Sequence, residues 1–117
     1  MALGVALGAY SSHAAKGAVH PEAARLLQTA VLYQLVHGIG VLIAGALCLG
    51  TASRWLAAAA VLHLAGIALF CGGLWFMAFT GQSPGLAAPL GGFAFIGGWL
   101  AMAAHAMLKS GPPPARG

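Results

Sequence analysis

The chain has 117 residues, of which 61% are hydrophobic and only 5% charged, with a formal net charge of +4. An average soluble domain is about 25% charged, so this composition cannot clothe a surface for water and calls for lipid as its solvent. Lys16, Arg25, Arg54, Lys109 and Arg116 stand apart from one another, with Glu22 as the single acid. No basic patch forms, which excludes nucleic acid as a partner. Isolated cations between apolar runs are instead the placement of membrane-interface anchors.

Taken in chain order, residues 1–15 are apolar, with Gly4 and Gly8 at the GxxxG spacing that lets helices approach closely. A helix of that length extends only about 22 Å, short of a hydrocarbon core of about 30 Å. No basic segment precedes it, as one would in a cleaved signal peptide. The first helix is therefore expected to be short or truncated, and to sit deep in the bundle, thin the bilayer or fail to cross. His20-Pro21-Glu22 supplies a proline for a first helical turn and an acid for the positive end of the helix dipole. Residues 21–28 read as an interfacial lead-in to the second helix.

Three runs follow, at about 26–49, 55–80 and 89–108, each free of Asp, Glu, Lys and Arg. Each reaches the roughly 20 residues that cross a bilayer core. Residues 50–54 and 81–85 are short turns that make their flanking helices antiparallel neighbours, and Pro89 suits a first turn. The Pro-rich segment 110–117 is predicted to be a disordered tail. The predicted fold class is an all-α integral membrane protein, a compact antiparallel bundle of four transmembrane helices within residues 1–109. Cys48 and Cys71 fall about 20 Å apart by helical rise, too far for a disulfide, and read as packed thiols.

The second helix carries the sharpest polar constellation. Thr29, Tyr33 and His37 recur at i, i+4 and i+8, with Gln34 three residues before His37. Counting from Leu26 puts His37 about 16 Å into the membrane, near the midplane, where lipid offers a polar group no partner. One reading is a binding or proton-handling site of Tyr33, Gln34 and His37, completed by His13. The other is interhelical hydrogen bonding that fixes register, worth about 0.6 kcal/mol per contact.

His63 lies about 13 Å into the third helix, a comparable depth. Two midplane histidines on adjacent helices resemble a bis-histidine haem arrangement, but a bundle this rich in Gly and Ala packs closely. The expectation is no cofactor and no metal. His105 closes a stripe of Ala94, Gly98 and Ala101 and reads as an interfacial histidine. Gly72-Gly73, Gly91-Gly92 and Gly97-Gly98 lack the context of a phosphate loop and read as points of close helix approach. Trp55 and Trp75 fit an interfacial belt.

Gly8-Ala9-Tyr10-Ser11-Ser12-His13-Ala14-Ala15-Lys16 resembles the "GAFGAHALK" signature closing the first helix of the DUF423 family. These are small membrane proteins of unknown function, relatives of transmembrane protein 256 among them. Tyr33-Gln34-Leu35-Val36-His37 is similar to the family's "YQxxHA" motif, and residues 66–75 resemble its "GilLFSGSLY" segment. Ala88-Pro89-Leu90-Gly91-Gly92, followed by Gly98-Trp99, resembles its "TPLGG…GW" ending. His63 lies outside these motifs. Ser11, Ser12, Cys71, Gly72 and Ala88 depart from them, so roles that need the family's residues there do not carry over. The resemblance implies the four-helix fold and implies no activity.

Two classes of function remain open. The first is a non-enzymatic accessory or structural protein of the membrane, acting through the lipid bilayer, other membrane proteins or further copies of itself. The second is a small-molecule or proton-handling site, transporter-like or ligand-binding, around Tyr33, Gln34 and His37. An enzyme is not expected, because the membrane region holds no carboxylate and Glu22 alone is a poor acid or base. Arg54, Lys109 and Arg116 on one side against Lys16 and Arg25 on the other predict both termini in the cytoplasm. The expected location is a bacterial inner membrane.

Overall fold

The computed structural model describes residues 1–14 and 20–109; Lys16 and the predicted disordered tail lie outside the described residues. Five α-helices follow in order: α1 (Ala2–Ala14), α2 (Pro21–Gly50), α3 (Arg54–Gly66), α4 (Gly72–Thr80) and α5 (Ala87–Lys109). A π-helical turn, Ile67–Cys71, joins α3 to α4 so that they form one rod of 27 residues. Together with α2 at 30 residues and α5 at 23, this rod is long and apolar enough to cross a membrane. The expected bundle of four helices is therefore present, with a first helix of only 13 residues.

Helix boundaries follow local chemistry. Pro21 opens α2, with Glu22 in its first turn, so the polar lead-in is the first part of α2 itself. The α4 C-terminus is closed by Gly81 at φ 69°, whose N–H donates to the Met77 carbonyl at 2.9 Å. A side chain at that φ costs roughly 1–2 kcal/mol. Gly81→Ala is accordingly expected to lower stability by about 1 kcal/mol, read from reversible unfolding in mixed micelles.

The α3–α4 rod is the middle of the bundle, with α2 antiparallel on one side and α5 antiparallel on the other. Small residues let the three backbones close together. Ala44, Ala59 and Ala101 form one buried cluster, and Ala30, Cys71, Leu74 and Phe95 another. The large side chains of Leu42, Leu49, Phe93 and Leu100 point outward and are exposed. This is the arrangement expected where lipid is as apolar as leucine and association rests on close packing. Cys48 and Cys71 are both free thiols.

The helix ends are tied by polar contacts. Ser53 Oγ and His105 Nδ1 share a hydrogen bond of 2.9 Å, and Lys109 Nζ donates to Thr51 Oγ1 at 2.7 Å. The α2–α3 turn is thereby fastened to the end of α5. At the opposite end, α1 packs antiparallel to α2 with Gly4 against Leu35 and Gln34, and Gly8 against Val31. Met1 Sδ reaches Gly38, so α1 starts beside the middle of α2 and runs toward its N-terminal end. There Tyr10 meets Phe79 of α4, with ring centroids 6.5 Å apart. Among the outcomes open to so short a segment, α1 is a half-length helix lying on the bundle.

Candidate functional site: a histidine and aromatic cluster at mid-depth

Tyr33 and His37 flank the centre of α2, Phe95 and Trp99 the centre of α5, and His63 lies about one turn from the centre of the rod. The antiparallel register brings these residues into a single cluster halfway along all three spans. The His37 ring stacks on Phe95 with centroids 3.5 Å apart and lies 5.5 Å from the His63 ring. Tyr33 continues the ladder, 5.6 Å from His37 and 4.7 Å from Phe70. His63 meets Trp99 edge-on at 4.9 Å.

The π turn sets Phe70 into this ladder. Gly91 of α5 lies so close to the π turn that a Cβ on it would overlap the backbone nitrogen of Phe70. The Phe70 ring is then held 5.7 Å from Phe95. Single-turn π segments recur at functional positions because they re-aim side chains within an otherwise regular helix.

His37 Nδ1 is 2.8 Å from the Tyr33 carbonyl. A carbonyl only accepts, so Nδ1 carries the hydrogen, and in the neutral ring Nε2 is a bare lone pair. Among the described residues, neither that lone pair nor the Tyr33 hydroxyl has a hydrogen-bond partner. His37 is 7% exposed and Tyr33 39%. Both line a groove of about 320 Å³, shared with Leu32 and Val36, that opens on the lipid-facing side of α2.

His63 is enclosed differently. It has no exposed surface, and neither ring nitrogen has a partner among the described residues. A Cβ on Gly40 would lie 2.7 Å from Nε2, and one on Gly98 2.8 Å from Nδ1. Two glycine backbones thus press on the ring from α2 and α5, and no porphyrin plane fits beside either nitrogen. The haem arrangement fails on space. An unpartnered buried imidazole also disfavours folding, by about 1–3 kcal/mol on mutational scales.

The other sequence candidates lie elsewhere. Gln34 faces α1, lining a separate groove of about 200 Å³ with Leu3, Leu7, Cys71 and Trp75. His13 is exposed near the end of α1, its Nδ1 3.0 Å from its own helix's Ala9 carbonyl. Tyr33 and His37 come together; Gln34 and His13 do not join them. Phe70, Phe95 and Trp99 complete the cluster, although no role at a site was expected of any of the three. Phe70 and Trp99 lie in segments that resemble family motifs, and the i, i+4 spacing of Phe95 and Trp99 was a further signal for those two.

The sequence model of the DUF423 family, described as a protein of unknown function, matches residues 7–92. The chain belongs to the DUF423 family. This DUF423 chain is 36% identical over 101 residues to the UPF0382 membrane protein SERP0230 of Staphylococcus epidermidis, covering 86% of this chain and 82% of that protein. It is 33% identical over 106 residues to the UPF0382 membrane protein YwdK of Bacillus subtilis, covering 84% and 81%. A UPF0382 membrane protein of Haemophilus influenzae is 33% identical over 100 residues, covering 85% and 80%. No solved structure matches. The relatives bear the membrane assignment that composition demanded, and the family match takes in Tyr33, His37 and His63 but ends before Phe95.

Proposed function

We propose that this DUF423 protein is a non-enzymatic membrane protein that acts through lipid-side contacts, holding a small lipid-soluble molecule in the groove at Tyr33 and His37. The observation that carries this reading is the bare Nε2 of His37 beside the unpartnered Tyr33 hydroxyl, on a groove open to the membrane interior. Water is absent at that depth and hydrocarbon forms no hydrogen bonds, so a bound molecule is the natural partner for both groups. Catalysis finds no support, because the cluster holds no carboxylate to act with its histidines, and the Cys71 thiol packed against Phe95 is buried. By the positive-inside rule, the end carrying Arg54 and Lys109 faces the cytoplasm; the N-terminus of α1 points toward that same end.

A packing role is favoured by one specific observation, the stack of His37 on Phe95 at 3.5 Å, which pins α2 to α5. The two readings separate in one experiment. Wild-type protein and His37→Ala are purified in the same detergent, and their solvent extracts are compared by mass spectrometry. Wild type is expected to retain a lipophile that His37→Ala loses by at least fivefold while remaining helical by circular dichroism. If His37→Ala and His37→Gln lower stability together and the extracts match, the packing role stands alone.

A further inference from the structure

We infer that the groove's occupant is a lipid-soluble aromatic alcohol, a quinol or phenol, whose hydroxyl donates to His37 Nε2. This rests on the binding role proposed for the groove and adds the ligand's chemical class. The first step is the tautomer. Because Nδ1 is committed to the Tyr33 carbonyl at 2.8 Å, Nε2 can only accept. The ligand must therefore bring a donor; a ketone, ester or ether oxygen would set lone pair against lone pair.

The second step is depth. The groove lies at the middle of α2, about half a core thickness, or roughly 15 Å, from either interface. Phospholipid headgroups, which are charged, stay with interfacial water and do not reach it. A small uncharged ring does, where its oxygens find hydrogen-bond partners in the groove.

The third step is shape. The groove holds about 320 Å³, walled by Leu32 and Val36 and by the rings of Tyr33 and His37. Those rings are tilted only 16° from one another. At a centroid separation of 5.6 Å the two rings leave no space for a third between them, so a flat ring seats by offset stacking on the exposed part of Tyr33, and the volume is ample for one substituted six-membered ring. The Tyr33 hydroxyl, one helical turn from His37, is left to bond a second ring oxygen. A flat ring with a hydroxyl donor and a second oxygen, carried by a hydrocarbon chain, is a quinol.

The test uses the full chain in phosphatidylcholine nanodiscs, with decylubiquinol, its oxidised quinone and its dimethyl ether as probes. Tryptophan fluorescence, corrected for probe absorption, reports binding, since the Trp99 ring lies 6.1 Å from His37. The quinol is expected to bind saturably and about tenfold more tightly than the quinone or the ether, because a site built to pair with a hydroxyl rejects analogues lacking it. In His37→Phe the three probes should bind alike, and in Tyr33→Phe all three should weaken while the quinol keeps its preference. Should His37→Phe fail to fold, the wild-type comparison still decides, together with Tyr33→Phe at an exposed position. Equal affinity of the three probes for wild type overturns the quinol assignment. If a His37-dependent native lipophile is nonetheless retained, the binding role survives that result; if it is absent as well, both fall.

Discussion

Gly91→Ala is expected to lower the stability of the bundle by roughly 3 kcal/mol, while Gly92→Ala, one residue along, leaves it unchanged or raises it by up to about 1 kcal/mol. Both substitutions gain helix propensity, worth about 1 kcal/mol for replacing glycine within a helix. They differ in what the added methyl meets. At Gly92 nothing lies within 4 Å. At Gly91 the methyl falls on the Phe70 backbone, with Phe70 Cβ 2.7 Å away. Overpacking against a side chain commonly costs 1–3 kcal/mol because the side chain gives way; a helix backbone can yield only by separating α5 from the rod. That separation also frees Phe70, and with it the Tyr33 wall of the groove. Reversible unfolding in mixed micelles, followed by circular dichroism, gives the two values. Equal effects at the two glycines would mean that α5 does not approach the π turn as described.

Much of this architecture is legible in the residues themselves. Charge exclusion and length mark out α2, the α3–α4 rod and α5, because a bilayer enforces both. Gly81 announces its turn. The π turn leaves no such distinct trace: residues 67–71 are a uniform apolar run without Pro or Gly, and the glycines that flank it, Gly66 and Gly72, are no different from those elsewhere in so Gly-rich a chain. Gln34 illustrates a second limit. Three residues before His37, it lies close enough on the helix surface to be grouped with it, yet α1 covers that edge of α2 and draws Gln34 into a different groove. The spacing of Gly4 and Gly8 reveals the packing face of α1 but not the depth at which it lies, so His13 could not be placed. His63 needed the register of three helices at once, since the glycines that enclose it are far apart in the chain.

That enclosure can be measured through a double-mutant cycle. Gly98→Ala is expected to cost about 2–3 kcal/mol, because the new methyl would lie 2.7–3.0 Å from three atoms of the His63 ring. The ring cannot retreat, as Gly40 blocks the other side. His63→Ala alone is expected to cost about 2 kcal/mol. Removing a large buried side chain typically costs 3–5 kcal/mol, here offset by the relief of an unpartnered polar group. In the double variant the methyl added by Gly98→Ala enters the space the ring has left, so the combined cost should fall below the sum by about 2 kcal/mol, well outside the additivity of independent sites. Additive values would mean that the ring is not held between the two backbones. The cycle also separates the two histidines by role. A ring gripped at both nitrogens has no edge left for the proposed ligand, whereas His37 lines the groove where that ligand is proposed. His63→Ala should therefore lower the melting temperature yet leave lipophile retention dependent on His37. Loss of retention in folded His63→Ala protein would instead make the two imidazoles one binding unit.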